Sequence, residues 1–316
     1  MRSHRINLLS AGRTFAVAAV ALAATCSAGA QTRPARGAAA FRTDSTLVLV
    51  PVTVVDHRGA IVNGLASEAF TLTEDGVRQQ VHSFSEEDAP VSMGIVLDLS
   101  GSMRGVLSPA KEALRALMKD ANPADEAFLN TVSTRPREYS GFTHDFDEVL
   151  SRVAFEKAGG DTALIDTIYG SLHELRSGIH ARKALLIISD GMDNHSRYSR
   201  DELLDRAVES DAQIYTIAVD NAPAFAKPMA RMEERRGLLF LDELAAKTGG
   251  LSFVVRGQTD ILAAAARIGR ALRDQYTIGF VPRGDGRGGQ WRRIKVKVEG
   301  SGLRAYARTG YRLESR

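Results

Sequence analysis

The chain has 316 residues, 44% apolar and 25% charged, with 28 Gly and 9 Pro, proportions that exclude a disordered or collagen-like polypeptide. Its formal net charge is +3. Arg2, Arg5 and Arg13 carry that excess in an acid-free opening segment, so the whole-chain balance gives no case for a nucleic-acid or anionic-membrane partner.

Residues 1–30 place those arginines ahead of an apolar run at 16–24 and the small residues Ser27-Ala28-Gly29-Ala30. This is the pattern of a secretory signal peptide, expected to be cleaved after Ala30, and it makes the protein secreted or periplasmic. The apolar run is shorter than the roughly 20 residues of a spanning helix, and no later stretch qualifies, so no transmembrane anchor is expected. Cleavage also removes Cys26, the one cysteine, which excludes a disulfide framework. Lipid anchoring at Cys26 is the alternative, but Ala-Ala-Thr-Cys departs from the Leu-Ala-Gly-Cys pattern of bacterial lipoproteins. Residues 31–40, built of Ala, Arg, Gly and Pro, read as a flexible linker.

From 41 to 90 the chain has the texture of antiparallel strands. Residues 46–55 are rich in Val, and Phe70 and Leu72 alternate with Thr71 and Thr73 before the Asp75-Gly76 hairpin signal. The texture changes at Val91. Apolar runs at 94–97, 185–188 and 214–219 suit parallel strands buried on both faces. A further strand is expected at 128–133 and a short one at 251–255. Helical stripes separate them: Leu107, Ala110, Leu114 and Leu117; Ile165, Ile168, Leu172 and Leu175; Ile261, Ala265, Ile268 and Leu272. Further helices are predicted at 145–153, 200–210 and 238–248. After Arg273 the period returns to two, with Ile294, Val296 and Val298 alternating with Arg293, Lys295, Lys297 and Glu299.

Neither β segment, 41–90 or 274–316, is long enough for a stable core of its own. We expect them to pair into one sandwich into which an α/β domain, 91–273, is inserted. The other reading is two independent β extensions.

The chemistry gathers at strand ends, where ligand crevices of doubly wound sheets lie. The first α/β strand ends in Asp98-Leu99-Ser100-Gly101-Ser102, a carboxylate followed at +2 and +4 by hydroxyls. Such hard oxygens suit Mg²⁺. Alone, the pentapeptide is equally a strand end with a serine helix cap. Two further loops change the weighing: Ser189-Asp190-Gly191 follows another buried run, and Gly159-Gly160-Asp161-Thr162 opens a helix.

In order and spacing these loops resemble the von Willebrand factor type A domain, whose metal-ion-dependent adhesion site reads Asp-x-Ser-x-Ser, then a loop Thr, then Asp-Gly. The resemblance covers 91–273 and implies a six-stranded, mostly parallel sheet between two layers of helices. It implies Ser100, Ser102 and Thr162 as hydroxyl ligands of a divalent ion, with Asp98 and Asp190 as the carboxylates that contact it or hold its waters. Mg²⁺ is the implied metal; Mn²⁺ fits the same geometry, and Ca²⁺ needs a looser shell. It further implies a partner protein that supplies a Glu or Asp carboxylate, and an affinity switch in which the last helix, 259–273, moves with the metal loops. The turn Glu74-Asp75-Gly76, the strand 275–280 and Gly310-Tyr311 resemble a secreted bacterial subgroup of such proteins. Asp161 stands where many members have glycine and is either an extra acidic ligand or a loop residue.

Other candidates weigh less. His173-Glu174 and His180 lack the HExxH spacing of a zinc site. Asp193 and Asn194 tune the metal loop or simply make a turn. Nucleophile elbow, P-loop and dinucleotide fingerprint are absent, and the proposed loops offer no base, so a non-enzymatic binding protein is expected. An envelope scaffold and a metal-assisted hydrolase are the rivals. Residues 283–316 hold ten basic residues against three acids. Alternation sets Arg293, Lys295 and Lys297 on one face, either a solvated surface or an anionic docking patch. Oligomeric state is not legible in the sequence.

Overall fold

The computed structural model describes residues 47–132, 137–138, 141–221, 227–282 and 289–312, with 137–138 as backbone only. The expected signal peptide, linker and Cys26 lie outside the described residues.

The first segment forms β1 (Val48–Val55), β2 (Phe70–Glu74), β3 (Val77–Arg78) and β4 (Val81–Glu86). Asp75 and Gly76, at φ of 48° and 84°, turn β2 into β3. Two positive φ values in succession match the right-handed twist of a hairpin.

The α/β part follows as β5 (Val91–Asp98), α1 (Leu107–Lys119), β6 (Glu126–Val132), β7 (Arg137–Glu138), α2 (Phe146–Ala154) and α3 (Leu164–Glu174). It continues through β8 (Arg182–Ser189), α4 (Arg200–Glu209), β9 (Gln213–Val219), α5 (Pro228–Thr248), β10 (Ser252–Val255) and α6 (Gln258–Arg273). The sheet order is β10-β9-β8-β5-β6-β7. Five strands run parallel, and the two-residue β7 is an antiparallel edge on β6. The expected six-stranded sheet is therefore five parallel strands and a short sixth.

Both faces of this sheet are covered, which is why its strands read as unbroken apolar runs. Ile95, Leu97, Leu186, Ile188 and Ile217 pack under α1, α2 and α6. Val96, Leu185, Ile187 and Ile214 pack under α3, α4 and α5. Each such side chain stabilises the fold by roughly 1.5–3 kcal/mol relative to exposure.

Two elements differ from the sequence expectation. β6 starts at Glu126, two residues early, because Glu126 is buried with its carboxylate on Ser92 Oγ and the Ile179 N–H. α5 starts at Pro228 and not at 238. Its first turns bury almost nothing, so they leave no amphipathic stripe to read, and Pro at the first helical position fixes the start.

The chain ends in β11 (Tyr276–Phe280), β12 (Trp291–Val298), β13 (Arg304–Tyr306) and β14 (Gly310–Arg312). β1 pairs with β11, Val48 opposite Phe280 and Val52 opposite Tyr276. β2 pairs with β12, Phe70 opposite Val298 and Glu74 opposite Ile294. Two four-stranded antiparallel sheets result, β13-β1-β11-β4 and β14-β12-β2-β3, each with strands from both flanking segments. They share a core of Val50, Val52, Phe70, Leu72, Tyr276, Ile278, Phe280 and Tyr311.

Polar side chains bind this sandwich to the end of the α/β unit where β5 and β8 begin. Arg182 donates to Ala89 O at 2.5 Å, Leu272 O at 2.7 Å and Gln275 Oε1 at 2.9 Å. Gln275 in turn donates to Thr53 Oγ1 at 3.1 Å. No helix among the described residues is long and apolar enough to cross a membrane.

Candidate metal centre

Asp98 ends β5 and is fully buried. Its Oδ1 accepts the Ser100 N–H at 2.8 Å, and its Oδ2 accepts the Ser189 hydroxyl at 2.5 Å from the end of the neighbouring β8. Buried Leu99 and Met103 pin the turn that follows. The Ser100 and Ser102 hydroxyl oxygens lie 3.0 Å apart, Ser100 buried and Ser102 exposed.

The loop carrying Thr162 is tied at both ends. The Gly159 N–H donates to Leu99 O at 2.7 Å, and the Thr162 N–H donates to Asn194 Oδ1 at 2.9 Å. Thr162 O accepts the N–H groups of Asn194 and His195 at 3.0 and 3.1 Å. Asp193 accepts from the Ile165 N–H at 3.2 Å, at the start of α3. Asp193 and Asn194 thus organise the Thr162 loop, one of the two roles open to them from the sequence. Thr162 and Asp190 are buried, and Asp190 Oδ1 accepts the Met192 N–H at 3.0 Å. Gly191 adopts φ 75°, and a Cβ there would meet the Gly237 carbonyl carbon of α5 at 2.4 Å. Glycine at both positions lets the Asp190 loop lie against the helix backbone.

Burial pushes the Asp98 carboxyl up to about 6, and the negative charge of Asp190 adds to the shift against the hydrogen bonds from Ser189 and Ser100. No described Lys, Arg or His forms a salt bridge with either carboxylate. Two buried acids beside one another without a cation are costly, and a divalent ion is one partner that would relieve them. Among the described residues no three His, Cys, Asp or Glu side chains gather as a metal-holding group. An ion here must therefore draw on hydroxyls, and the donors present, all hard oxygens, fit Mg²⁺ chemistry.

Sequence reasoning missed three contributors. Ser189 holds Asp98; its signal was a hydroxyl closing an apolar run. Asn221, just past β9, donates from Nδ2 to Ser102 O at 3.2 Å, and its N–H donates to Glu234 Oε1 at 2.7 Å. Nothing local in the sequence marks that pair. His195, an exposed residue beside Asn194, lies beyond the three proposed loops. Of the zinc candidates, Glu174 accepts from Asn130 Nδ2 at 3.0 Å, and the His180 ring contacts Ala124 O at 2.7 Å. Asp161 is exposed.

No curated relative matches the chain. Among solved structures, a von Willebrand factor type A protein from Catenulispora acidiphila is 12% identical, with 87% of this chain and 75% of that chain covered at a TM-score of 0.50. The vWF domain of the type V pili tip protein Mfa5 from Porphyromonas gingivalis is 13% identical, with 60% and 96% covered and a TM-score of 0.48. An aerotolerance-related membrane protein from Bacteroides fragilis is 16% identical, with 58% and 98% covered and a TM-score of 0.44. Residues 93–192 match the family model of the von Willebrand factor type A domain, and the α/β unit built on them has that domain's fold.

Proposed function

We propose that this chain is an exported protein-binding module that captures an acidic group of a partner protein through a divalent ion, Mg²⁺ in the first instance. Asp98, Ser100, Ser102, Thr162 and Asp190 would hold it. The ion would supply an electrophilic position that a Glu or Asp side chain can fill. The observation that carries the reading is the pair of buried carboxylates Asp98 and Asp190 at adjacent strand ends, without a salt-bridge partner among the described residues, beside the hydroxyl pair of Ser100 and Ser102.

Each residue has a role in that reading. Asp98 sets the turn through the Ser100 N–H and is itself aimed by Ser189. Ser102, exposed, stands on the side open to a partner. Neutral hydroxyls donate little charge, so the ion's affinity for an incoming carboxylate is preserved. Partner capture is favoured over a scaffold role because the three loops are already tied to one another through Gly159–Leu99 and Thr162–Asn194, so an ion is not needed to join them.

The test is capture of a partner from envelope extract. Binding that is lost with EDTA, restored by Mg²⁺ and absent in Asp98→Ala supports the reading. A lowered melting temperature with binding intact would support a scaffold, and metal-dependent turnover would support a hydrolase.

A further inference from the structure

The outer face of the sheet β14-β12-β2-β3 carries charge that the metal centre does not use. Alternation on β12 turns Ile294, Val296 and Val298 inward and leaves Trp291, Arg293, Lys295 and Lys297 exposed. Pairing widens the row: Lys295 lies opposite Thr73, and Thr73 opposite Arg78, so Arg78 shares the face. None of these four cations forms a salt bridge among the described residues. Of the nearby acids, Asp75 is occupied by Arg292 at 3.0 Å and Glu209 of α4 by Arg312, which lies opposite Trp291, and the one acid of the strand alternation, Glu299, stands at the far end.

Trp291 closes the other end of the row. It is the one tryptophan of the chain and is 41% exposed. Its ring lies across β14 at Gly310, where a Cβ would stand 2.1 Å from the ring. Glycine there lets the indole lie flat against the sheet with its other side free.

We propose that this face docks on an anionic phospholipid surface. Three cations at every second residue of one strand, about 6.6 Å apart, form a flat array suited to a plane of headgroups and not to a groove. Tryptophan is the side chain that prefers the boundary between headgroups and acyl chains. The face has one exposed aromatic and lacks the succession of stacking rings by which single-stranded nucleic acid is held. The charge is local, since the chain beyond its opening segment is neutral overall. Docking here leaves the metal loops uncovered: the sandwich joins the α/β unit at the start of β5, and Asp98 lies at the other end of that eight-residue strand, about 23 Å away.

The test uses the full chain with vesicles of phosphatidylcholine alone and of three parts phosphatidylcholine to one part phosphatidylglycerol. At about 0.1 M salt, where screening still permits surface attraction, the chain is expected to bind the anionic vesicles only, with a blue shift of Trp291 emission and protection from acrylamide quenching. Each basic residue near an anionic leaflet contributes about fivefold, so Lys295→Thr/Lys297→Thr, which keeps the strand, should weaken partitioning roughly 25-fold. All variants carry the same residues 1–46, so differences between them read this face. Equal binding to neutral vesicles, an unchanged Trp291 spectrum, or wild-type partitioning by the double variant would overturn the proposal. Binding of single-stranded DNA or polyphosphate without binding of anionic vesicles would also overturn it, and would give the face to a soluble polyanion. Quenching of Trp291 in the wild type decides the matter even if the variant fails to fold.

Discussion

The Ser189 hydroxyl donates to Asp98 Oδ2 over 2.5 Å, joining the ends of two neighbouring parallel strands inside the candidate metal centre. The bond opposes the burial that drives this carboxylate toward neutrality, and no cation among the described residues forms a salt bridge with it.

A pH dependence follows. The folded-state value of Asp98, about 6, lies above the ordinary 3.8, so between those values the folded chain binds more protons than the unfolded one. Stability without metal therefore falls as pH rises through that window, by about 3 kcal/mol in all. Urea denaturation in EDTA at about pH 3 and pH 7.5 should show this loss beyond that of Asp98→Asn, whose neutral amide can still bond Ser189 and the Ser100 N–H. Equal slopes in the two proteins would refute the assignment.

Gly191 and Gly237 approach so closely that neither tolerates a side chain. Gly191→Ala adds left-handed strain to a 2.4 Å clash, and Gly237→Ala sets its Cβ 2.5 Å from Gly191 O. Each should cost roughly 2–4 kcal/mol, read as a lowered urea midpoint with an unchanged slope. A neutral result at both would show that the Asp190 loop does not lie against α5.

Asn221 bonds to the candidate metal centre without being a candidate ligand. Asn221→Ala removes the bond to Ser102 O and should weaken Mg²⁺ binding by about tenfold or more, as outer-shell losses do, with stability reduced by only about 1 kcal/mol. Titration calorimetry beside urea denaturation separates the two effects. A purely structural residue would lose stability and keep its affinity.

Arg182 of β8 donates to Leu272 O of α6 and to Ala89 O and Gln275 Oε1 on the two connections that lead to the sandwich. Arg182→Met leaves them without their donor and should cost about 3 kcal/mol or more. Differential scanning calorimetry is expected to show one transition for the wild type and a split transition for the variant. A single transition in both would mean that other contacts couple the two parts.

The sequence made the fold legible where burial is two-sided or strictly alternating. Residues 185–188 and 214–219 read as strands because both faces are covered, and Ile294, Val296 and Val298 read as a strand because one face is. The first half of α5 was hidden because Met229, Met232 and their neighbours face solvent and impose no period. At the candidate metal centre, Asp98, Ser100 and Ser102 stand out because they are alternate residues of one five-residue turn. Asn221 and Glu234 do not, since Asn221 reaches Ser102 O from 119 residues away and Glu234 acts only by accepting the Asn221 N–H. A contact of that kind exists only after the sheet has formed.

Titration of Mg²⁺ by calorimetry at about pH 7.5, above the range in which Asp98 is protonated, decides whether these loops hold an ion. One ion per chain is expected in the wild type, no measurable binding in Asp98→Asn, and weakened binding in Ser102→Ala, with all three proteins folded. Undiminished binding in Asp98→Asn, or no binding in the wild type, would contradict the account.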